Sequence, residues 1–351
     1  MRVLIWPAGN ENDGTSQYRL YLPAAPLIAD GADIRVDISG PSVLWADWPR
    51  ELRNRAEPPP TAKVMGLAKR PEADVVVMQR PGRRWWADVI PFLREAGIRV
   101  VVDIDDHFRF IEKDNWAYDA FHGDSEVHDH LWVSEACKRA DLVTTTTPVL
   151  ADFYGFGHGR VLPNLVPASY LQIDARRAEH MVMWTGTVGT HPHDLQVTRG
   201  AIGAALKSSG WGFHVIGRPE GVQDALGLAE EPTATTWLPF ADYPAAMAEA
   251  TIGIVPLVDS VFNRGKSCLK MMEFASLGVP ALATGTPDNR RLNGMGIGCI
   301  VKHPAQWERG IRRLIENQQY REDVAGHSKE VMKKHTYEKQ SHRWAEAWGL
   351  K

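Results

Sequence analysis

The residues best suited to chemistry cluster between positions 263 and 283. Arg264, Lys266 and Ser267 stand at the start of an expected helix over 266–277, directly after a strand candidate. A helix start carries unpaired N–H groups and a partial positive charge, so added cationic side chains there suit a diphosphate. Lys270 lies one turn after Lys266, and Glu273 three residues further, so all three can share one face. A carboxylate in that row can accept hydrogen bonds from both hydroxyls of a ribose. The bland alternative is a helix whose exposed side carries charges. The position at a strand–helix junction favours a binding role.

A second group lies near the beginning of the chain. Residues 9–16 form a polar loop with Gly9 and Gly14, placed between a strand candidate and a helix and bearing on an acceptor. It has neither the Gly-x-Gly-x-x-Gly spacing of a dinucleotide site nor a phosphate-loop Gly-Lys-Ser/Thr. Arg19 falls in the first turn of the next helix, where it could reach acceptor or donor phosphate or sit as a surface arginine. Asp103, Asp105, Asp106 and His107 crowd another strand end. Three carboxylates and a histidine are costly to hold together without a task, and one of Asp105, Asp106 or His107 could serve as base or positioning group toward an acceptor hydroxyl. The literal Asp-x-Asp also invites a metal reading, which leaves the 266–273 row unexplained, so no metal site is expected. His122, Asp124, Glu126, His128, Asp129 and His130 match no zinc spacing. His191 and His193 follow a glycine turn, where Asp194 could cap the next helix.

The elements that position these groups alternate. Strand candidates fall at 3–6, 34–36, 75–78, 100–103 and 142–145, with helical patterns at 18–29, 86–96 and 127–140. The pattern restarts at 181–184 and continues through 212–216, 235–238, 252–255, 279–283 and 299–301. Continuous apolar strands between helices imply parallel sheets covered on both faces. The reading is α/β with two doubly wound domains: 1–168 for the acceptor, 169–335 for a nucleotide sugar, and a 336–351 helix packing back toward the first. Ligands of such sheets bind at the carboxyl ends of the strands, so an active site between the two domains is expected.

Here the chain resembles a known family. Lys266-Ser267-x-x-Lys270-x-x-Glu273-Phe274-Ala275-x-x-Gly278-x-Pro280 is similar to the donor-site helix of family 4 glycosyltransferases, of GT-B fold with two Rossmann-like domains. Trp184-Thr185-Gly186-Thr187 resembles that family's glycine turn against the donor phosphates. Ser16-Gln17-Tyr18-Arg19, Gln79-Arg80-Pro81, Asp103-Ile104-Asp105-Asp106, Ala140-Asp141-Leu142-Val143-Thr144 and Leu162-Pro163-Asn164 extend the resemblance over most of the chain. It implies a retaining, metal-independent glycosyltransferase. The donor would be held by Gly186, Thr187, Arg218, Arg264, Lys266, Lys270 and Glu273, and the acceptor by Gly14, Arg19 and Arg80, with residues 238–243 stacking on the nucleobase. One departure stands out. Of the family's two glutamates spaced eight apart the second is Glu273, while the first position is Gly265. A sugar-nucleotide epimerase and a non-catalytic binding protein on the same fold are the alternatives.

Composition bounds the rest. The chain has 351 residues, 44% hydrophobic and 24% charged, and a formal net charge of −3, against a protein that coats nucleic acid over its whole surface. Three scattered cysteines fit a reducing cytoplasm. The opening apolar run is too short for a signal peptide, and no stretch reaches transmembrane length. Residues 50–100 carry eleven basic against six acidic residues, with Arg83-Arg84-Trp85-Trp86 among them. That keeps a DNA acceptor open beside a glycan, lipid or protein. The co-substrate expected is a nucleotide sugar, with no cofactor.

Overall fold

In the computed structural model, residues 1–38, 40, 71–123, 129–173 and 178–350 are described. Asp124, Glu126, His128 and the basic residues between 50 and 70 lie outside the described residues. The chain divides into two compact units. The first is Met1–Ile111, Ala117–Pro163 and Gln340–Lys351; the second is Glu112–Trp116 and Asn164–Lys339.

The first unit is built on β1 (Arg2–Trp6), β2 (Asp33–Val36), β3 (Val75–Gln79), β4 (Arg99–Ile104), β5 (Leu142–Thr145) and β6 (Gly159–Val161). All neighbours are parallel, in the order β2-β1-β3-β4-β5-β6. The central strands are the continuous apolar runs: every residue of β3 is buried, and so are five of the six in β4. Helices cover them because strands buried on both faces must have both faces packed.

The second unit holds β7 (Met181–Thr185), β8 (Gly212–Ile216), β9 (Thr233–Thr235), β10 (Ile252–Val255), β11 (Ala281–Thr284) and β12 (Cys299–Val301). This sheet is also wholly parallel, ordered β12-β11-β10-β7-β8-β9. Trp184, Phe213, Ile254, Trp307 and Ile311 are part of its core. Chain order reverses between β7 and β10, and a crevice opens there beyond the carboxyl ends of the strands. In the first unit the reversal falls between β1 and β3.

Two of the four edge strands differ from the sequence reading. β6 has no apolar run, and β9 begins two residues before the expected 235–238 strand, leaving Trp237 exposed. Each pairs on one side only, so burial does not write its register into the sequence. At the start of the second unit, the Leu165 N–H donates to the Tyr337 hydroxyl at 3.3 Å and Val166 forms an isolated parallel bridge with Thr336.

The helical stretch after β1 contains a π-turn at Gln17–Tyr21, a wider turn that points Arg19 inward. Arg19 is only 1% exposed. Its Nε and Nη2 donate to the two oxygens of Asp103 at 2.9 and 2.7 Å, and Nη1 donates to the Leu162 carbonyl at 2.7 Å. Arg19, expected at an acceptor, thus has its guanidinium engaged inside the fold. Replacing Arg19 by Leu should cost about 3–5 kcal/mol, because Asp103 is left buried and uncompensated. Adding Asp103→Leu should recover part of that loss in urea titrations; strictly additive losses would show that the pair is not coupled.

Candidate functional site

The carboxyl end of β7 gathers the second unit's candidates. β7 leaves the sheet through Gly186, whose N–H donates to the Ile216 carbonyl at 3.0 Å, the end of β8. Gly217 follows with φ at 137°, and a Cβ on it would lie 1.9 Å from the Gly186 carbonyl oxygen. Only glycine allows this approach, so the two strand ends present bare backbone side by side. Thr187 comes next, and its Oγ1 accepts from the Arg218 N–H at 3.4 Å. The Arg218 side chain is exposed and lies over the Trp116 ring, 5.2 Å from its centroid.

The loops on either side of the crevice are joined by a buried carboxylate. Asp194 accepts from the backbone N–H of Val258, just beyond β10, at 2.8 Å and from Asn263 Nδ2 at 2.8 Å. Its other oxygen pairs with His191 Nδ1 at 2.9 Å. Asp194 does not cap the helix after it, as expected from sequence. Two donors from distant loops satisfy the buried charge instead.

The cationic row is resolved in detail. The helix is Leu269–Ser276, preceded by a short Val261–Arg264 helix, so Arg264 ends one helix and does not begin the next. Its guanidinium is exposed and paired with Asp259 at 2.7 Å. The Cys268 N–H at the start of the longer helix donates to Asp288 at 2.8 Å. Asp288 thus takes part of the anion position expected for a phosphate. Lys266 is half-buried, its ammonium 4.5 Å from the centroid of Phe262. Lys270 donates to the Tyr243 hydroxyl at 2.7 Å and pairs with Glu273 at 2.9 Å. Burial and the Glu273 charge push the Tyr243 hydroxyl's pKa up, with Lys270 and the nearby Thr185 side chain opposing the rise. The Glu273 and Tyr243 contacts outweigh burial and hold the Lys270 ammonium well above the usual lysine range, so it stays charged. Glu273 is 0% exposed. The residue expected at the ribose thus stands buried, with one carboxylate oxygen against the Lys270 ammonium.

At the first unit's strand ends, Arg80 has φ at 48° and makes a two-pronged pair with Asp105 at 2.6 and 2.5 Å. It also reaches Thr15 Oγ1 at 3.1 Å and lies 3.7 Å from Asp106. Gly14 starts the helix behind Asp13, which accepts from Ser16 N–H at 2.8 Å; a side chain on Gly14 would meet open space. Gln79 was not singled out from sequence as a separate site residue. It is buried and accepts from Ala8 N–H and Ser16 Oγ, each at 2.9 Å, which fixes the loop after β1. The carboxylates crowd together because arginines neutralise them, a structural reason that the sequence reading did not weigh. Asp105, one of the three candidate bases, is the one that Arg80 engages with both prongs. Among the described residues, no group of three or more His, Cys, Asp or Glu is placed to hold a metal ion.

His107 is buried in an aromatic box, with ring centroids of Phe110 and Phe153 at 4.5 and 4.4 Å. Its Nδ1 finds no hydrogen-bond partner. Burial, then the charges of Arg109 and His130, push its pKa down to about 4 from the ordinary 6.5. That environment suits a neutral packing residue better than a base exposed to substrate. The folded protein binds fewer protons than the unfolded chain between those two values, so the stability His107 confers is complete above 6.5 and is lost as pH falls toward 4. The loss is at most about 1.4 kcal/mol per pH unit. Urea titrations of His107→Phe at pH 7 and pH 5 should show a smaller difference than the parent protein; an equal difference would refute the assignment.

Residues 179–317 match the family model described as Glycosyl transferases group 1. No curated protein sequence matches the chain. Among solved structures, HepE of Anabaena in complex with UDP superposes with a TM-score of 0.67 at 14% identity, covering 100% of both chains. An alpha-glucosyltransferase in complex with UDP and a 13-mer DNA containing a HMU base gives 0.63 at 12%, again over 100% of both. The sucrose-phosphate synthase of Thermosynechococcus elongatus gives 0.62 at 13%, over 100% of this chain and 99% of that one. Among the described residues no helix is long and apolar enough to cross a membrane. With two parallel Rossmann-like sheets and a group 1 segment over 179–317, the chain is a glycosyltransferase of GT-B type.

Proposed function

We propose that this glycosyltransferase takes its sugar from a nucleoside diphosphate sugar bound by the second unit at the β7–β10 crevice. The observation that carries the reading is the convergence at the end of β7. Bare backbone at Gly186 and Gly217, the Thr187 hydroxyl and Arg218 meet there, and Lys266 and Lys270 follow β10, the strand paired with β7. Backbone without side chains, hydroxyls and fixed cations are what a diphosphate requires. UDP in the HepE and alpha-glucosyltransferase structures supports a uridine donor as the first to test.

In the reaction, the acceptor hydroxyl oxygen forms a bond to the anomeric carbon while the bond from that carbon to the β-phosphate oxygen breaks. The hydroxyl proton is released and the nucleoside diphosphate leaves. Charge builds on the departing phosphate, so preorganised cations there act most strongly in the transition state. Lys266 and Arg218 supply this stabilisation, and Lys270 is the charge fixed behind them. The transfer retains anomeric configuration and needs no metal ion. The first unit takes the acceptor, a glycan, lipid, protein or modified DNA. Asp106 is its best-placed carboxylate, with a more open side chain than Asp105, 24% against 11%.

UDP-, GDP-, ADP- and dTDP-sugars should be compared by thermal shift and then by nucleotide release. One donor class should stabilise the protein and release its nucleoside diphosphate at a rate unchanged by EDTA. Lys266→Ala should slow release roughly a hundredfold. Absence of stabilisation by every sugar nucleotide would overturn the proposal.

A further inference from the structure

We infer that Trp116 is a positioning residue for Arg218 at the donor-phosphate site, and that Gly189 is the seat that holds it. The inference rests on the donor-site reading above and adds to it a residue from a distant part of the chain.

Trp116 is 61% exposed, unusual for so large an apolar side chain, yet it is firmly held. It ends Glu112–Trp116, the short segment between β4 and β5 that belongs to the second unit. Three contacts fasten this strap to the loop after β7. The Trp116 N–H donates to the Gly189 carbonyl at 2.8 Å, Asn115 Nδ2 to the Thr190 carbonyl at 3.0 Å, and His193 Nε2 meets Asp114 at 3.2 Å. The indole lies directly on Gly189, where a Cβ would come within 1.9 Å of it. The loop thus lacks a side chain at the point where the ring rests.

What the ring supports is Arg218. Its guanidinium carbon sits 5.2 Å from the indole centroid, and its backbone N–H is tied to Thr187 at 3.4 Å. Among the described residues no carboxylate forms an ion pair with Arg218, whereas Arg80 and Arg264 are both paired with aspartates. A cation held over an aromatic face loses rotamer freedom without using its N–H donors. Stacking on Trp116 therefore restrains Arg218 beside the glycine turn and leaves its fork open for a diphosphate. An ion pair would instead occupy that fork.

The test measures calorimetric affinities of UDP, GDP and ADP, each beside its parent nucleoside, on the full chain. Arg218→Ala should weaken the preferred diphosphate about tenfold and leave the nucleoside unchanged. Trp116→Ala should weaken the same diphosphate about two- to fivefold, Trp116→Phe should restore it, and Gly189→Ala should reproduce the loss by lifting the ring from its seat. In the Arg218→Ala background, Trp116→Ala should have no further effect. Equal losses with and without Arg218, or a matching loss of nucleoside affinity, would show that Trp116 touches ligand directly or serves the fold, and would overturn the inference. So would diphosphate binding that Lys266→Ala weakens and the Trp116 variants do not, while the donor-site reading would stand. Failure of every diphosphate to bind would remove that reading and the inference together. Gly189→Ala and Trp116→Phe retain the indole or its aromatic face, so a misfolded Trp116→Ala does not block the test.

Discussion

A carboxylate taken out of water must be met by donors, and at Asp194 that requirement shapes the second unit's crevice. Asp194 is 2% exposed and draws on the loop after β7 through His191, the loop after β10 through Val258, and the Val261–Arg264 helix through Asn263. The two sides of the switch point are thereby held in one register. An unpaired charge there would cost several kcal/mol, so the loops cannot drift apart cheaply. Gly186, Thr187 and Lys266, three of the groups proposed to meet the donor, hang from these loops.

Charge is arranged differently in the two units. At the first unit's strand ends, buried or half-buried arginines face carboxylates: Arg19 with Asp103, and Arg80 with Asp105. These pairs fasten β1, β3, β4 and the intervening helix to one another, and the guanidinium forks are turned onto protein. In the second unit Arg218 rests on a ring, and Lys270 is anchored by a carboxylate behind it. Cations held by an aromatic face or from behind keep N–H donors available to a ligand.

Much of this was legible in the sequence. The central strands announced themselves as unbroken apolar runs, and the restart at Met181 marked a second sheet. The Lys266–Glu273 spacing marked the helix that packs beside β10 and β11. Three things were not legible. Edge strands β6 and β9 carry no burial signal. The partners of charged residues are set by tertiary approach: Arg19 and Asp103 are far apart in sequence and meet only after a π-turn has rotated Arg19 inward. Trp116 offers no local clue either, since its seat at Gly189 lies beyond three intervening strands.

The burial of Glu273 bears on why a glutamate stands there. A buried ion pair returns little net stability, because desolvating both partners offsets their attraction. Stability alone therefore gives weak reason to place a glutamate behind Lys270. Orientation gives a stronger one. A lysine on its own has a flexible stem and a pKa that falls on burial, so a half-buried ammonium could wander or lose its proton. Glu273 at 2.9 Å and the Tyr243 hydroxyl at 2.7 Å hold the ammonium from two sides and keep it protonated. The buried carboxylate thus fixes where the Lys270 ammonium stands, which a neutral residue at position 273 could not do.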